Sequence, residues 1–171
     1  MSVAVLSARA VVVFGVSGSG KSTVAETLAG RLTFDYCDAD DLHPAANVEK
    51  MRSGHALTDD DRWPWLHAVG RRMHEALDEG HGIVVACSAL KRSYRDILRV
   101  HEPDAFFVFL DGGEDLIMSR VLARQGSFMP ASLLSSQFDA LEPLQSDEAG
   151  LRIDVAQSLT DVVDEAFTAL S

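Results

Sequence analysis

One octapeptide constrains this chain more than any other feature: Gly15-Val16-Ser17-Gly18-Ser19-Gly20-Lys21-Ser22. It satisfies G-x-x-x-x-G-K-[ST] in full. An apolar run, Val11-Val12-Val13-Phe14, precedes it, and Val24, Leu28 and Leu32 recur at one-turn spacing after it. Strand, glycine loop and helix in that order are the context in which this motif cradles phosphates. The glycines permit a tight loop whose backbone N–H groups point inward, and the helix N-terminus adds a positive field. In such a loop Lys21 reaches the β- and γ-phosphates of ATP, and the Ser22 hydroxyl ligates Mg²⁺.

The rest of the chain alternates short apolar runs with longer helical patterns. Further strands are expected at 34–37, 83–87, 105–110 and, more weakly, 151–155; helices are expected at 63–79, 91–100, 113–125 and 158–170. This rhythm predicts an α/β fold with a mostly parallel five-stranded sheet flanked by helices. The 171 residues fit one domain. Two connections, 39–62 and 125–137, are longer than the rhythm requires, and long connections in compact α/β domains are often functional. They are read as a substrate-side insertion and a lid.

Charge excludes several classes. Fifteen Lys and Arg against 26 Asp and Glu leave a net charge of −11, which repels nucleic-acid backbones and anionic membranes. An anionic ligand therefore needs a local basic pocket. The two cysteines, Cys37 and Cys87, form no CxxC pair, and the six histidines show no HExxH spacing, so a metal cluster or disulfide framework is not expected. No signal-peptide pattern is read at the N-terminus, and a cytoplasmic location is the expectation. A GTPase is excluded as well: Asn47 is the single asparagine and is followed by Val48, and Asp147-Glu148-Ala149-Gly150 matches DxxG too late in the chain.

Asp38-Ala39-Asp40 follows the second strand run. In an open parallel sheet, ligands bind beyond the carboxyl ends of the strands. On an extended segment the two carboxylates would share one side, facing the phosphates. One would hold a metal-bound water and the other would accept a substrate hydroxyl proton. Arg120 and Arg124, one helical turn apart, are placed to stack on a base and clamp phosphates, with the 125–137 segment just beyond.

Beyond the octapeptide, Asp38-Ala39-Asp40-Asp41-Leu42-His43-Pro44, Thr58-Asp59-Asp60-Asp61-Arg62 with Pro64-Trp65-Leu66, Cys87-Ser88-Ala89-Leu90-Lys91, Tyr94-Arg95-Asp96 and Gln137-Phe138 with Leu141-Glu142-Pro143 resemble the gluconokinases, small P-loop kinases. The resemblance runs from the glycine loop to Pro143. It implies ATP- and Mg²⁺-dependent phosphorylation of D-gluconate on its 6-hydroxyl, a mobile lid and a homodimer. It makes Asp40 the proton acceptor and Asp38 the residue nearer the metal, and it adds Gln137 to the substrate-binding set. Phe128-Met129-Pro130-Ala131 stands where some relatives carry a more basic lid, which shifts phosphate contact toward Arg124.

Gluconate's carboxylate calls for a cationic, preferably bidentate partner. His43, Arg62, Lys91 and Arg95 are the candidates. A solvated helix face competes as the role of Lys91 and Arg95, a salt bridge within Asp59–Asp61 as that of Arg62, and local packing as that of His43. Trp63 and Trp65 are read as packing residues, and Cys37 and Cys87 as inert thiols at the ends of neighbouring strands. The alternatives in function are a shikimate- or nucleoside-monophosphate-type kinase and a nucleotide-binding regulator without turnover.

Overall fold

The computed structural model describes residues 9–124 and 131–171. Strand β1 (Ala10–Phe14) is buried along its whole length, as a run of valines flanked by sheet on both sides must be. The other strands are β2 (Asp35–Asp38), β3 (Ile83–Ala86), β4 (Phe106–Asp111) and β5 (Gly150–Asp154). All pair in parallel, in the order β2-β3-β1-β4-β5. The expected five-stranded sheet is therefore parallel throughout.

Side chains alternate along β1 and feed two cores. Val11 and Val13 join Leu28 of α1 (Lys21–Leu32), Ile117 of α5 (Glu114–Ala123) and Val163 of α7 (Leu159–Leu170). Val12 and Phe14 face Leu66, Val69 and Met73 of α3 (Asp59–Asp78) and Leu98 of α4 (Arg92–His101). The remaining helices are α2 (Ala45–Arg52) and α6 (Ala131–Ala140).

Three local readings change. Helix α3 begins at Asp59, ahead of the expected 63, because Thr58 and Asp61 form a reciprocal capping box: Asp61 N–H donates to Thr58 Oγ1 (3.2 Å) and Thr58 N–H to Asp61 Oδ2 (2.8 Å). Pro64 lies early in that helix and costs it one backbone bond without ending it. The 39–62 insertion is largely helical: a 3-10 turn (Ala39–Leu42) leads through Pro44 into α2. The expected lid at 125–137 is divided: 131–137 belongs to α6, and 125–130 lies outside the described residues.

Helices α3 and α4 approach closely where Gly70 is buried beneath the ring of His101, and a β-carbon at Gly70 would overlap that imidazole, its Cβ included. His101 Nε2 in turn lies 2.9 Å from His67 Nδ1. Gly70→Ala is therefore expected to lower stability by about 1–3 kcal/mol through overpacking, read as a reduced denaturant midpoint at unchanged m-value.

Candidate active site

The glycine loop leaves β1 at its carboxyl end and enters α1. Gly18 (φ 82°) and Gly20 (φ 95°) take left-handed conformations, and a β-carbon at Gly18 would strike Val121 of α5. Ser19 N–H donates to Val16 O (3.2 Å), closing the turn, and Lys21 folds back so that Nζ also donates to Val16 O (3.1 Å). Gly20 is the N-cap of α1, so the first-turn N–H groups are open to an anion.

Asp38 ends β2, and its carboxylate does two things. Oδ2 accepts from Ser22 Oγ (3.2 Å), and Oδ1 accepts from Asp40 N–H (3.0 Å), capping the 3-10 turn. The expectation of an extended Asp38-Ala39-Asp40 segment is thus corrected: the chain turns at Asp38, because its side chain offers the next free N–H a partner. Asp38 and Asp40 still reach one space. A cavity of about 190 Å³ is lined by Lys21, Ser22, Asp38, Asp40, Ser88 and Arg124. Ser88 arrives from the loop after β3, which lies between β1 and β2.

The charged groups in this space bias one another. Desolvation in the cleft raises the Asp40 pKa; the Asp38 charge adds to this and Lys21 opposes it. Desolvation lowers that of Lys21, against the pull of Asp40 and Asp38. Burial pushes the Cys87 thiol up to about 12, so it stays neutral beside them. A carboxylate with raised pKa next to an ammonium with lowered pKa suits proton acceptance from an alcohol during phosphoryl transfer. Ser22 and Asp38 present hard oxygen donors side by side, a set that fits Mg²⁺ sharing its remaining positions with phosphates and water.

A second cavity, about 610 Å³, adjoins the first through Ser17, Gly18, Gly20, Thr23 and Arg124. Its far walls are Val121, Leu133, Val155, Leu159 and Val162, with Arg120 among them. Arg120 Nη2 donates to Val155 O (2.6 Å), which fixes the guanidinium against this apolar wall. Both arginines expected on the nucleotide side therefore face nucleotide-sized space.

His43, Arg62 and Lys91 line neither of these two cavities. His43 stacks on Trp65 (4.1 Å between centroids, 15° between planes), and Trp65 Nε1–H donates to Ala39 O (2.7 Å). Burial, then the Arg62 charge, lowers the His43 pKa. Arg62 donates from Nη1 to Leu57 O (2.7 Å) and lies 3.8 Å from Asp59 Oδ1; Lys91 Nζ lies 3.5 Å from Asp59 Oδ2. Between them stands Tyr94, whose hydroxyl donates to Asp59 Oδ1 (2.5 Å). Sequence reasoning assigns no role to Asp59 or Tyr94. Asp59 sits inside an acidic run considered only as a partner for Arg62, and a phenol 35 residues away leaves no local pattern.

Two expected substrate contacts are placed elsewhere. Arg95 is fully buried: Nε and Nη2 donate to Glu148 (2.8 and 3.0 Å), Nη1 to the carbonyls of Ala89 and Leu90, and Nη2 also to Pro143 O. No donor is left for a ligand, so Arg95 is a structural ion that clamps the loop after α6 to the start of α4. Gln137 reaches the glycine loop, where Oε1 accepts from Ser17 N–H (2.7 Å), so its carbonyl is engaged at the phosphate end of the cleft.

A phosphate-binding loop, an apolar nucleotide-sized cavity and a pair of carboxylates at the strand ends of a parallel sheet define a P-loop kinase. An AAA domain family matches residues 11–144. A gluconokinase of Gluconobacter oxydans (strain 621H) is 49% identical over 148 residues, 86% of this chain and 83% of that protein. The crystal structure of a gluconokinase from Sinorhizobium meliloti 1021 superposes with a TM-score of 0.88 at 46% identity, covering 96% of this chain and 92% of that one. The shikimate kinase from Aquifex aeolicus vf5 shares the fold alone, with a TM-score of 0.62 at 16% identity over 94% of this chain and 95% of that one. The chain belongs to the AAA domain family and, within it, to the gluconokinases.

The buried Arg95–Glu148 pair yields a stability test. Burial alone would raise the Glu148 carboxyl, but bonds from Arg95, Gln145 N–H and Arg99 outweigh it and bring it to about 2, from an ordinary 4.5. Its stabilisation is complete above about pH 4.5 and fades as pH falls toward 2. Glu148→Ala strands a buried guanidinium and is expected to cost about 3–5 kcal/mol at pH 7. In denaturant titrations the gap between variant and parent should narrow as pH is lowered from 5 toward 3.

Proposed function

We propose that this cleft transfers the γ-phosphoryl group of ATP to the 6-hydroxyl of D-gluconate, giving 6-phosphogluconate and ADP. The observation that carries the reading is the meeting of Lys21, Ser22, Asp38 and Asp40 in one cavity, in a chain of the gluconokinase family. The adenine is taken into the larger cavity against Arg120, and Arg124 stands where the two cavities join, beside the phosphates. Backbone N–H groups of the glycine loop and the Lys21 ammonium stabilise charge on the transferring group. Ser22 and Asp38 would hold Mg²⁺, which when bound neutralises phosphate charge. Asp40 orients the primary hydroxyl and takes its proton as the new P–O bond forms.

The substrate carboxylate lies at the other end of a six-carbon chain and is taken by Arg62 and Lys91, with His43 near Arg62. A regulator without turnover has no need of a carboxylate with raised pKa in the phosphate cavity. Among the described residues no helix is long and apolar enough to cross a membrane. Action in the cytoplasm as a homodimer completes the proposal and rests on the family resemblance.

A panel of hydroxy acids and neutral sugars, assayed with ATP for ADP release, tests the reading: gluconate should be preferred over glucose, shikimate and nucleoside monophosphates. Equal use of glucose and gluconate would overturn it. Asp40→Asn is expected to lower kcat by about 10²–10⁴-fold with little change in ATP binding. In the parent enzyme the acid limb of kcat/KM should lie above the ordinary aspartate value of 3.8, because the folded cleft raises this carboxyl. That limb should be absent from the variant. Arg62→Met or Lys91→Met should raise KM for gluconate much more than KM for ATP, in steady-state assays varying each substrate.

A further inference from the structure

The cations proposed to receive the substrate carboxylate are held in an unusual way. Arg62 lies in the first turn of α3 and Lys91 just ahead of α4, yet both flank one ring, each 5.6 Å from the Tyr94 centroid. Both also face one carboxylate, Asp59, at 3.8 and 3.5 Å. These are loose contacts, longer than a formed charge-assisted hydrogen bond. The short bond in the cluster comes from a neutral donor, Tyr94 O–H to Asp59 Oδ1 at 2.5 Å. Tyr94 stays protonated, its pKa lifted to about 12 by burial and by Asp59. Asp59 is thereby fixed in place while its two cations keep donors to spare.

Counting charge makes the arrangement specific. Arg62 and Lys91 contribute two positive charges and Asp59 one negative. The neighbouring charges do not alter that sum: Lys50 and Asp61 pair with each other (2.6 Å), Asp60 is exposed, and burial and Arg62 together favour neutral His43. The cluster is one negative charge short of neutrality. A monocarboxylate completes it; a neutral polyol leaves a half-buried cation unpaired; a dianion overshoots.

We infer that Asp59 is a specificity-determining residue: held by Tyr94, it sets the anchor to accept a single negative charge at the end of the substrate remote from the reacting hydroxyl. This rests on the reading of Arg62 and Lys91 as the carboxylate anchor. It assigns to Asp59 a role separate from binding itself, namely choosing which charge state binds best.

A charge series with a common distal primary hydroxyl tests it: D-glucitol (neutral), D-gluconate (−1) and D-glucitol 1-phosphate (−2 above its second pKa). The parent enzyme should show its highest kcat/KM with gluconate. In Asp59→Asn the ratio of kcat/KM for glucitol 1-phosphate to that for gluconate should rise by about tenfold or more. In Tyr94→Phe, which keeps the charge count, the ratio should stay near the parent value even if KM for gluconate rises. Comparing ratios cancels the differing sizes of carboxylate and phosphate and any uniform loss of active protein. An unmoved ratio in Asp59→Asn, or an equal shift in Tyr94→Phe, overturns the inference. If instead Arg62→Met and Lys91→Met leave KM for gluconate unchanged, the anchor reading itself fails, and the two failures are told apart.

Discussion

The catalytic arrangement depends on where β1 stops. Phe14 is the last residue of a strand that is buried on both faces and paired on both edges, so its end is fixed by two ladders and two cores. The glycine loop starts one residue later and inherits that position. Because β3 lies between β1 and β2, the same ladders bring the ends of three strands to one level: Val13 is in register with Ala86, and Ala86 with Asp38. Lys21 and Asp38 therefore meet through sheet register, with no long side-chain reach required. Ser22, Asp40, Ser88 and Arg124 are among the residues that line the space this register opens.

What was legible in the sequence follows from how local each signal is. The strands were visible because a parallel sheet covered on both faces needs uninterrupted apolar runs such as Ile83–Ala86. The glycine loop was visible because its function requires residue types at fixed spacing within eight positions. Helix α6 does not stand out from the segment before it in sequence, since Ser132, Ser135 and Ser136 dilute its apolar pattern. The turn at Asp38 is hidden for a different reason: Asp38-Ala39-Asp40 has the alternation of a strand, and only the capping bond to Asp40 N–H distinguishes the two. Arg95 is the clearest case. It shares a turn with Lys91 and looks like half of a basic face, yet its ion partner is 53 residues away and nothing local announces it.

The acidity of the chain and the chemistry of its cleft are also linked. At −11 overall, the protein field works against two anionic substrates. The two cavities answer with few cations, and each is confined to one place: Lys21 in the smaller, Arg120 in the larger and Arg124 where they join. Several other arginines serve the fold instead. Arg92 binds Asp147 in bidentate fashion, and Arg95 and Arg99 share Glu148. Spaced along α4, these three side chains hold the 143–148 loop and thereby support Lys91, which precedes the helix.

The larger cavity has its own consequence. Its walls beyond the glycine loop are aliphatic, Arg120 is tied to a backbone carbonyl, and the one carboxamide, Gln157, already donates to Glu165. Among the described lining residues, the aliphatic wall thus offers a flat ring contact on its faces, and the polar side chains Ser17, Thr23 and Arg124 gather at the glycine-loop end, so the cavity is apolar at one end and polar at the other.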